Sequence, residues 1–349
     1  MVLLESLIHH TLEKRSLIIK HVEEINIDRN LVSSRWIKYV PQVVFSPGKV
    51  SAVDGSFNLM AFRGFILYAV NAQSLVYGND GFIDKFDKFE VELAYPTEYS
   101  LDFIKMSMSL MELTVLWESL EKYNPDFALV DGSLIAYLTR IFSRIKQGVD
   151  EELYTYIRNR LRDSVLEFYS EAASLGYNIE EVFRALTYSR IIDFYKIMGL
   201  ILEKYWRNII AISKTSISRR YFKYSLKPDL VVFSKTISEA GFSEPQYYST
   251  EELVKDEIIS TYIKPRIFTV FYARLERGGS VYRFEIPYEA SENEIKLILD
   301  NLQVFSVNGY PYPLLKAHNN VEIGADDMLR IYKIPVSYTH LTLPTTERV

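Results

Sequence analysis

The residues Val-Asp-Gly-Ser occur twice, at 53–56 and at 130–133, each time closing a short apolar run. No other feature narrows the possible folds as much. A single Asp-Gly between apolar runs is most often a type I′ hairpin turn. A second copy changes the argument, because two strands that each end in Asp set two carboxylates side by side in a sheet. Adjacent carboxylates raise each other's pKa, so structure alone seldom selects them, and a divalent cation removes the conflict. Between the copies, residues 99–123 carry a strong amphipathic helical pattern closed by Asn124-Pro125. Strand, helix and strand then make a β-α-β unit within a mixed α/β sheet.

That helix offers two candidates for a third acid. Glu112 has Met108, Ser109, Val115 and Leu116 three and four residues away, a mostly apolar face that points at a core or a cleft. Glu118 has Thr114, Val115, Glu121 and Lys122 at the same offsets, a more polar face with Lys122 as an i,i+4 partner. A carboxylate on an apolar face needs a partner, since burying a lone charge is very costly. Glu112 is the better candidate ligand, and Glu118 stays beside it as the alternative.

Composition excludes several chemistries. The chain has no cysteine, which rules out disulfides, thiolate zinc sites and a cysteine nucleophile, and fits a cytoplasmic protein. Its five histidines are too scattered for a local histidine-rich metal site. A metal here is held mainly by carboxylates, which favours Mn²⁺ or Mg²⁺. The net charge of −5 does not advertise nucleic-acid binding, so any such function relies on a local basic patch. No run approaches the roughly 18 apolar residues of a membrane span. The opening MVLLESLIHHTLEKRSLIIKHVEE reads as an amphipathic helix without the apolar block of a signal peptide.

Three segments follow from the pattern. Residues 1–45 are expected to hold an N-terminal helix over 1–27 and a lead-in strand over 35–45, with a turn at Pro47-Gly48. Residues 46–335 form the main domain: a strand into the first Asp54, a hairpin through GFILYAV and SLVYG, the long helix, the strand DFALVDG and the helix SLIAYLTRIFSRIKQG. A helical insertion is expected over about 150–208, then strands NIIAISK, FTVFYARLE and VYRFEIP, the helix ASENEIKLILDNL and the loop NGYPYPLLKAHNN. The last residues, 336–349, lack periodicity and are expected to be disordered. SYTHLTLPTTERV in particular reads as a translated cloning or adaptor sequence, a point that sequencing the source gene decides.

Asp54 on an early strand, Glu112 on a helix and Asp131 on the next strand give the acid order of ribonuclease H-like nucleases, whose acids grip one or two metal ions. With VDGSF, the helical MEL around Glu112, LVDGSL, IIAISK and YPLLKAHNN in that order, residues 50–325 resemble the NurA family of archaeal DNA-end processing nucleases. The resemblance implies a ribonuclease H-like fold and Mn²⁺-dependent cleavage of DNA, as a 5′-to-3′ exonuclease and a single-strand endonuclease in end resection for double-strand break repair. It also implies a homodimer and a partnership with the hexameric HerA translocase. By position it makes Asp54 and Asp131 metal ligands and Glu112 a third acid. It also sets His318 near them, in metal binding or proton transfer.

Two further groups support that chemistry. Lys214 follows the apolar run IIAIS and is placed either at a strand end beside the acids, where it stabilises charge on a phosphate, or simply in solvent. Downstream, KTSISRRYFKYSLK contains no acid and interleaves cations with rings. Lys214, Arg219, Arg220, Tyr221 and Lys223 are the candidate DNA contacts, cations for phosphates and a ring for an unstacked base. An actin-like ATPase would share the core fold, but Gly55 and Gly132 follow their Asp directly and no P-loop is present. A non-catalytic DNA-end adaptor of a translocase is the other rival, and it predicts indifference to loss of Asp54 or Asp131.

Overall fold

The computed structural model describes residues 2–24, 26–43, 48–160 and 165–336. Pro47 and the tail from 337 onward, on which a turn and a non-native segment were expected, lie outside the described residues. The expected N-terminal helix divides at Lys14 into α1 (Val2–Glu13) and α2 (Arg15–Glu23), followed by α3 (Arg29–Ser34). The lead-in strand is only β1 (Trp36–Lys38), because the chain leaves the sheet ahead of Pro41.

Three long strands come next: β2 (Lys49–Ala61), β3 (Ile66–Gly78) and β4 (Gly81–Ala94). Here the expected hairpin is corrected. From Ile66 onward GFILYAV runs on into SLVYG as one strand, β3, and the polar Asn71 and Gln73 between them are not a turn. They point to one face of the sheet while Val70 and Ala72 enter the cores on the other. The true partner, β4, alternates charged and apolar residues and forms the sheet edge, where its Lys and acid side chains discourage pairing with another chain.

Helix α4 (Ser100–Tyr123) leads into β5 (Phe127–Asp131), and Asn124 closes the helix in the left-handed conformation at φ 42. The helix expected over SLIAYLTRIFSRIKQG is instead two short pieces, α5 (Leu134–Leu138) and α6 (Ser143–Lys146). Between them the Phe142 amide donates to Asp256 at 2.6 Å, a tertiary bond that replaces the helical ladder. Then come α7 (Glu151–Asn159), α8 (Val165–Ser174) and α9 (Ile179–Lys204), the last started by a capping box of Asn178 and Glu181.

After β6 (Ile209–Ser213) a basic loop runs to α10 (Asp229–Thr236), and β7 (Gly241–Ser243), β8 (Gln246–Ser249), α11 (Thr250–Leu253) and α12 (Glu257–Tyr262) follow. The chain ends with β9 (Ile267–Arg274), β10 (Tyr282–Ile286), α13 (Glu292–Val304), the hairpin β11 (Ser306–Val307) and β12 (Tyr310–Pro311), α14 (Tyr312–Val321) and α15 (Ala325–Val336). The stretch expected as a loop through His318 is therefore mostly α14. Its prolines sit at the helix start, where no amide hydrogen is needed, so they mark a beginning and not a break.

The sheet order is β1-β7-β9-β10-β6-β5-β2-β3-β4, with β8 paired to β9. Among the described residues only β2–β5 and β5–β6 pair in parallel. The run β4-β3-β2-β5-β6, three antiparallel strands joined to two parallel ones, is the expected ribonuclease H-like sheet. Helices cover both faces. Val53 and Val130 bury with Leu113, Leu116 and Leu120 of α4 and with α9, whereas Ala52 and Leu129 bury with Leu299, Leu302 and Leu314 of α13 and α14.

Candidate active site

Strand alternation decides where the acids point. Asp54 follows Val53 and so shares Ala52's face, and Asp131 follows Val130 and shares Leu129's. Val53 is in register with Val130 across the parallel pair, so the two carboxylates leave adjacent strands on the α14 side. There His318, on α14, sets its Nδ1 2.7 Å from Asp54 Oδ2 and 3.9 Å from Asp131 Oδ2. One ligand atom from each of Asp54, Asp131 and His318 fits within 4.8 Å of the others. Gly132 turns the backbone sharply here at φ +107, a conformation open to glycine.

Glu112 comes from the other layer. It belongs to α4, and it meets the site only because residue 55 has no side chain: a Cβ there would lie 2.7 Å from Glu112 Cγ and 2.8 Å from its Oε1. The missing methyl opens a gap in the sheet through which the carboxyl approaches the two aspartates. Its burial, and then the charges of Asp54 and Asp131, push its pKa up to about 8. Asp54 is raised as well, by burial first and by Asp131 second, against the opposing hydrogen bond from His318. Glu112 stands just outside the tight trio. Glu118, the alternative, pairs with Lys88 of β4 at 3.0 Å on the outer part of the sheet and takes no part.

Lys214 does emerge beside the acids, its Nζ 2.9 Å from Asp131 Oδ2 and 5.1 Å from the centre of the Tyr310 ring. Tyr310 was missed in the sequence, although its motif NGYPYP was in view. Its hydroxyl is buried without a hydrogen-bond partner, and burial followed by the Asp131 charge drives its pKa upward. A second missed group lies behind the second Asp-Gly-Ser. Fully buried Glu285 accepts from Ser133 Oγ at 2.6 Å and from the Ile135 amide at 2.9 Å, and pairs with Arg283 at 3.0 Å. Alternating polar and apolar residues in VYRFEIP were the one available signal.

The basic loop is only partly as expected. Lys214, Arg219, Arg220 and Lys223 are exposed. Tyr221 is a correction: its ring packs among Phe222, Phe233 and Tyr272, and its hydroxyl bonds Ser243 Oγ at 2.9 Å. Packed on three aromatics and hydrogen-bonded at its hydroxyl, the ring serves the core. Asp229, buried under the loop, accepts from the amides of Arg220, Tyr221 and Phe222 and from Ser218 Oγ, which turns a run of cations into a fixed structure.

Two carboxylates and an imidazole are a donor set suited to Mn²⁺ or Mg²⁺, and the crowding that raises Asp54 and Glu112 is what a bound cation would relieve. A ribonuclease H-like sheet with such a cluster at its centre defines an α/β protein of the acid-cluster class. The family model of the NurA domain matches residues 48–323, and the chain belongs to the NurA family. The DNA double-strand break repair nuclease NurA of Saccharolobus solfataricus is 29% identical, with 88% of this chain and 87% of that protein covered. The crystal structure of the NurA nuclease from Sulfolobus solfataricus superposes with a TM-score of 0.75 at 26% identity, covering 97% of this chain and 98% of that one. A NurA crystal structure bound to dAMP and manganese shares the fold at a TM-score of 0.62 and 14% identity, over 97% of this chain and 95% of that one. Among the described residues no helix is long and apolar enough to cross a membrane.

Proposed function

We propose that this chain is a DNA nuclease of double-strand break repair that hydrolyses phosphodiester bonds with manganese, or magnesium, held by Asp54, Asp131 and His318. The convergence of those three side chains within 4.8 Å is the observation that carries the reading. Manganese is favoured by the NurA structure that contains it together with a nucleotide. The family adds the finer reading: 5′-to-3′ exonuclease and single-strand endonuclease action on DNA ends, as a homodimer with the HerA translocase, in the cytoplasm.

A cation bound by the trio would polarise the scissile phosphate and lower the pKa of a water beside it. The protein's own groups do the rest. Asp54 is oriented by His318, and Asp131 by its strand register and by the turn that Glu285 holds through Ser133. Burial and the charges of Asp54 and Asp131 favour the protonated form of the Glu112 carboxyl in the metal-free chain, and it joins the site from behind the sheet. Lys214 supplies a positive charge within reach of a phosphate oxygen lying across the acids, and Arg219, Arg220 and Lys223 extend that positive surface along the loop.

The test is degradation of end-labelled single- and double-stranded DNA with Mn²⁺ and with chelator. Wild-type protein is expected to cut only with metal, and Asp54→Ala and Asp131→Ala are expected to remain folded and cut nothing. Undiminished cutting by either variant would sink the assignment and favour an adaptor.

A further inference from the structure

The basic loop holds a group better suited to a nucleic-acid base than the tyrosine it displays in sequence. The Arg220 guanidinium carbon lies 3.9 Å from the centre of the Tyr248 ring, a stacked contact, while Arg220 itself is exposed. One face of the planar cation meets the ring, and the residue as a whole is exposed to solvent. Tyr248 is half-buried on β8, with its hydroxyl 3.3 Å from Gln246 Oε1, so the ring is a fixed support. The Arg220 amide is fixed too, donating to buried Asp229 at 2.7 Å. Among the described residues the guanidinium makes no ion pair, and its partner is Tyr248, through the ring and the hydroxyl.

The position is linked to the acids. The loop begins at Lys214, on Asp131, and returns at Asp229. Arg283 is in register with Ser213 at the end of β6, next to Lys214, and its charge and that of Arg220 both act on the Tyr248 hydroxyl, against the larger effect of burial. A planar guanidinium held flat on a ring, in an exposed residue, is a surface on which an unstacked base can lie. The exposed Tyr224 has no comparable support.

We infer that Arg220, stacked on Tyr248, is a base-holding platform for a nucleotide of single-stranded DNA beside the scissile phosphate. This rests on the nuclease reading and adds what grips the strand: a base on Arg220, where a phosphate would be the simpler expectation for a cation. Because stacking ignores base identity, the platform accepts any sequence, and it requires the strand to be unpaired there.

The experiment measures affinity for a short fluorescent single strand by anisotropy, with chelator present so that nothing is cut. Arg220→Lys keeps the charge and loses the plane, and Arg220→Gln loses both. Each is expected to weaken binding by about tenfold, and Tyr248→Leu likewise. Stepping a single abasic site along the strand, one position is expected to cost the wild type that same factor and the Arg220 variants nothing. Wild-type affinity in Arg220→Lys, or an abasic cost equal in wild type and variants at every position, overturns the platform. If the wild type also cuts with Mn²⁺, the nuclease reading survives that result. A wild type that shows the coupling yet never cuts keeps the platform and loses the nuclease.

Discussion

Residue 55 controls the site by having no side chain. Glu112 occupies the space that a Cβ would fill, and on the opposite side the Asn71 carbonyl would lie 3.0 Å from that atom. The carbonyl is fixed by the paired sheet, so the Glu112 side chain is the neighbour that must move. Gly55→Ala is therefore expected to leave secondary structure intact and lower the rate of DNA cleavage by about 100-fold, the cost of shifting a reacting group by about 1 Å. Single-turnover cleavage beside circular dichroism measures both. A variant as fast as wild type would mean that Glu112 has no part in the reaction.

At the scale of elements, α14 is the piece that must be held in register. Asn58 Nδ2 donates to the Ile323 carbonyl just beyond its end, and Asn320 Nδ2 donates to Gln73 Oε1 at 2.7 Å. Gln73 is opposite Asp54 in the β2–β3 register, so one cross-strand neighbour of the aspartate steadies the helix that brings the histidine. Gln73→Ala is expected to weaken Mn²⁺ binding about tenfold, read by calorimetry, with little loss of thermal stability. Unchanged metal affinity would show that the sheet fixes the helix without that bond. The β-α-β unit and its acids were legible in the sequence because apolar period and a repeated tetrapeptide both survive in one dimension. Gln73 and Asn71 were not, since polar residues inside a strand look like a turn until the face they line is known. Helix α14 was hidden by prolines that begin it, and the Arg283–Glu285 pair by a separation of 150 residues between Glu285 and the amide of Ile135. Tyr221 looked like a ligand for bases because sequence does not reveal which aromatic of a cluster points inward.

The molecule as a whole has one part that its own core does not claim. In α2 no residue is buried, and Leu7, Ile8, Leu12, Leu17 and Ile18 of the N-terminal helices are all exposed. The ties to the body lie at the far end, where Lys227 Nζ donates to the His21 carbonyl and Lys235 Nζ to the Val22 carbonyl at 2.6 Å. Deleting residues 1–20 removes little buried apolar area, so the melting temperature is expected to hold within about 2 °C at subunit concentrations where the chain is monomeric. For the proposed homodimer, the same deletion is expected to lower dimerisation in sedimentation velocity. A dimer that persists at wild-type strength places the subunit contact elsewhere, the exposed edge β4 being the next surface to alter.

The gap at residue 55 also bears on how much of the fold the site depends on. A site contained in one hairpin could start cutting as soon as that hairpin closed. Here the aspartates belong to the sheet, the histidine to a helix near the chain's end, and Glu112 to a helix on the reverse side that reaches them only after both layers have docked. The full set of groups therefore exists only where the sheet, α14 and α4 are packed together, and losing any one of those packings removes a member of the site.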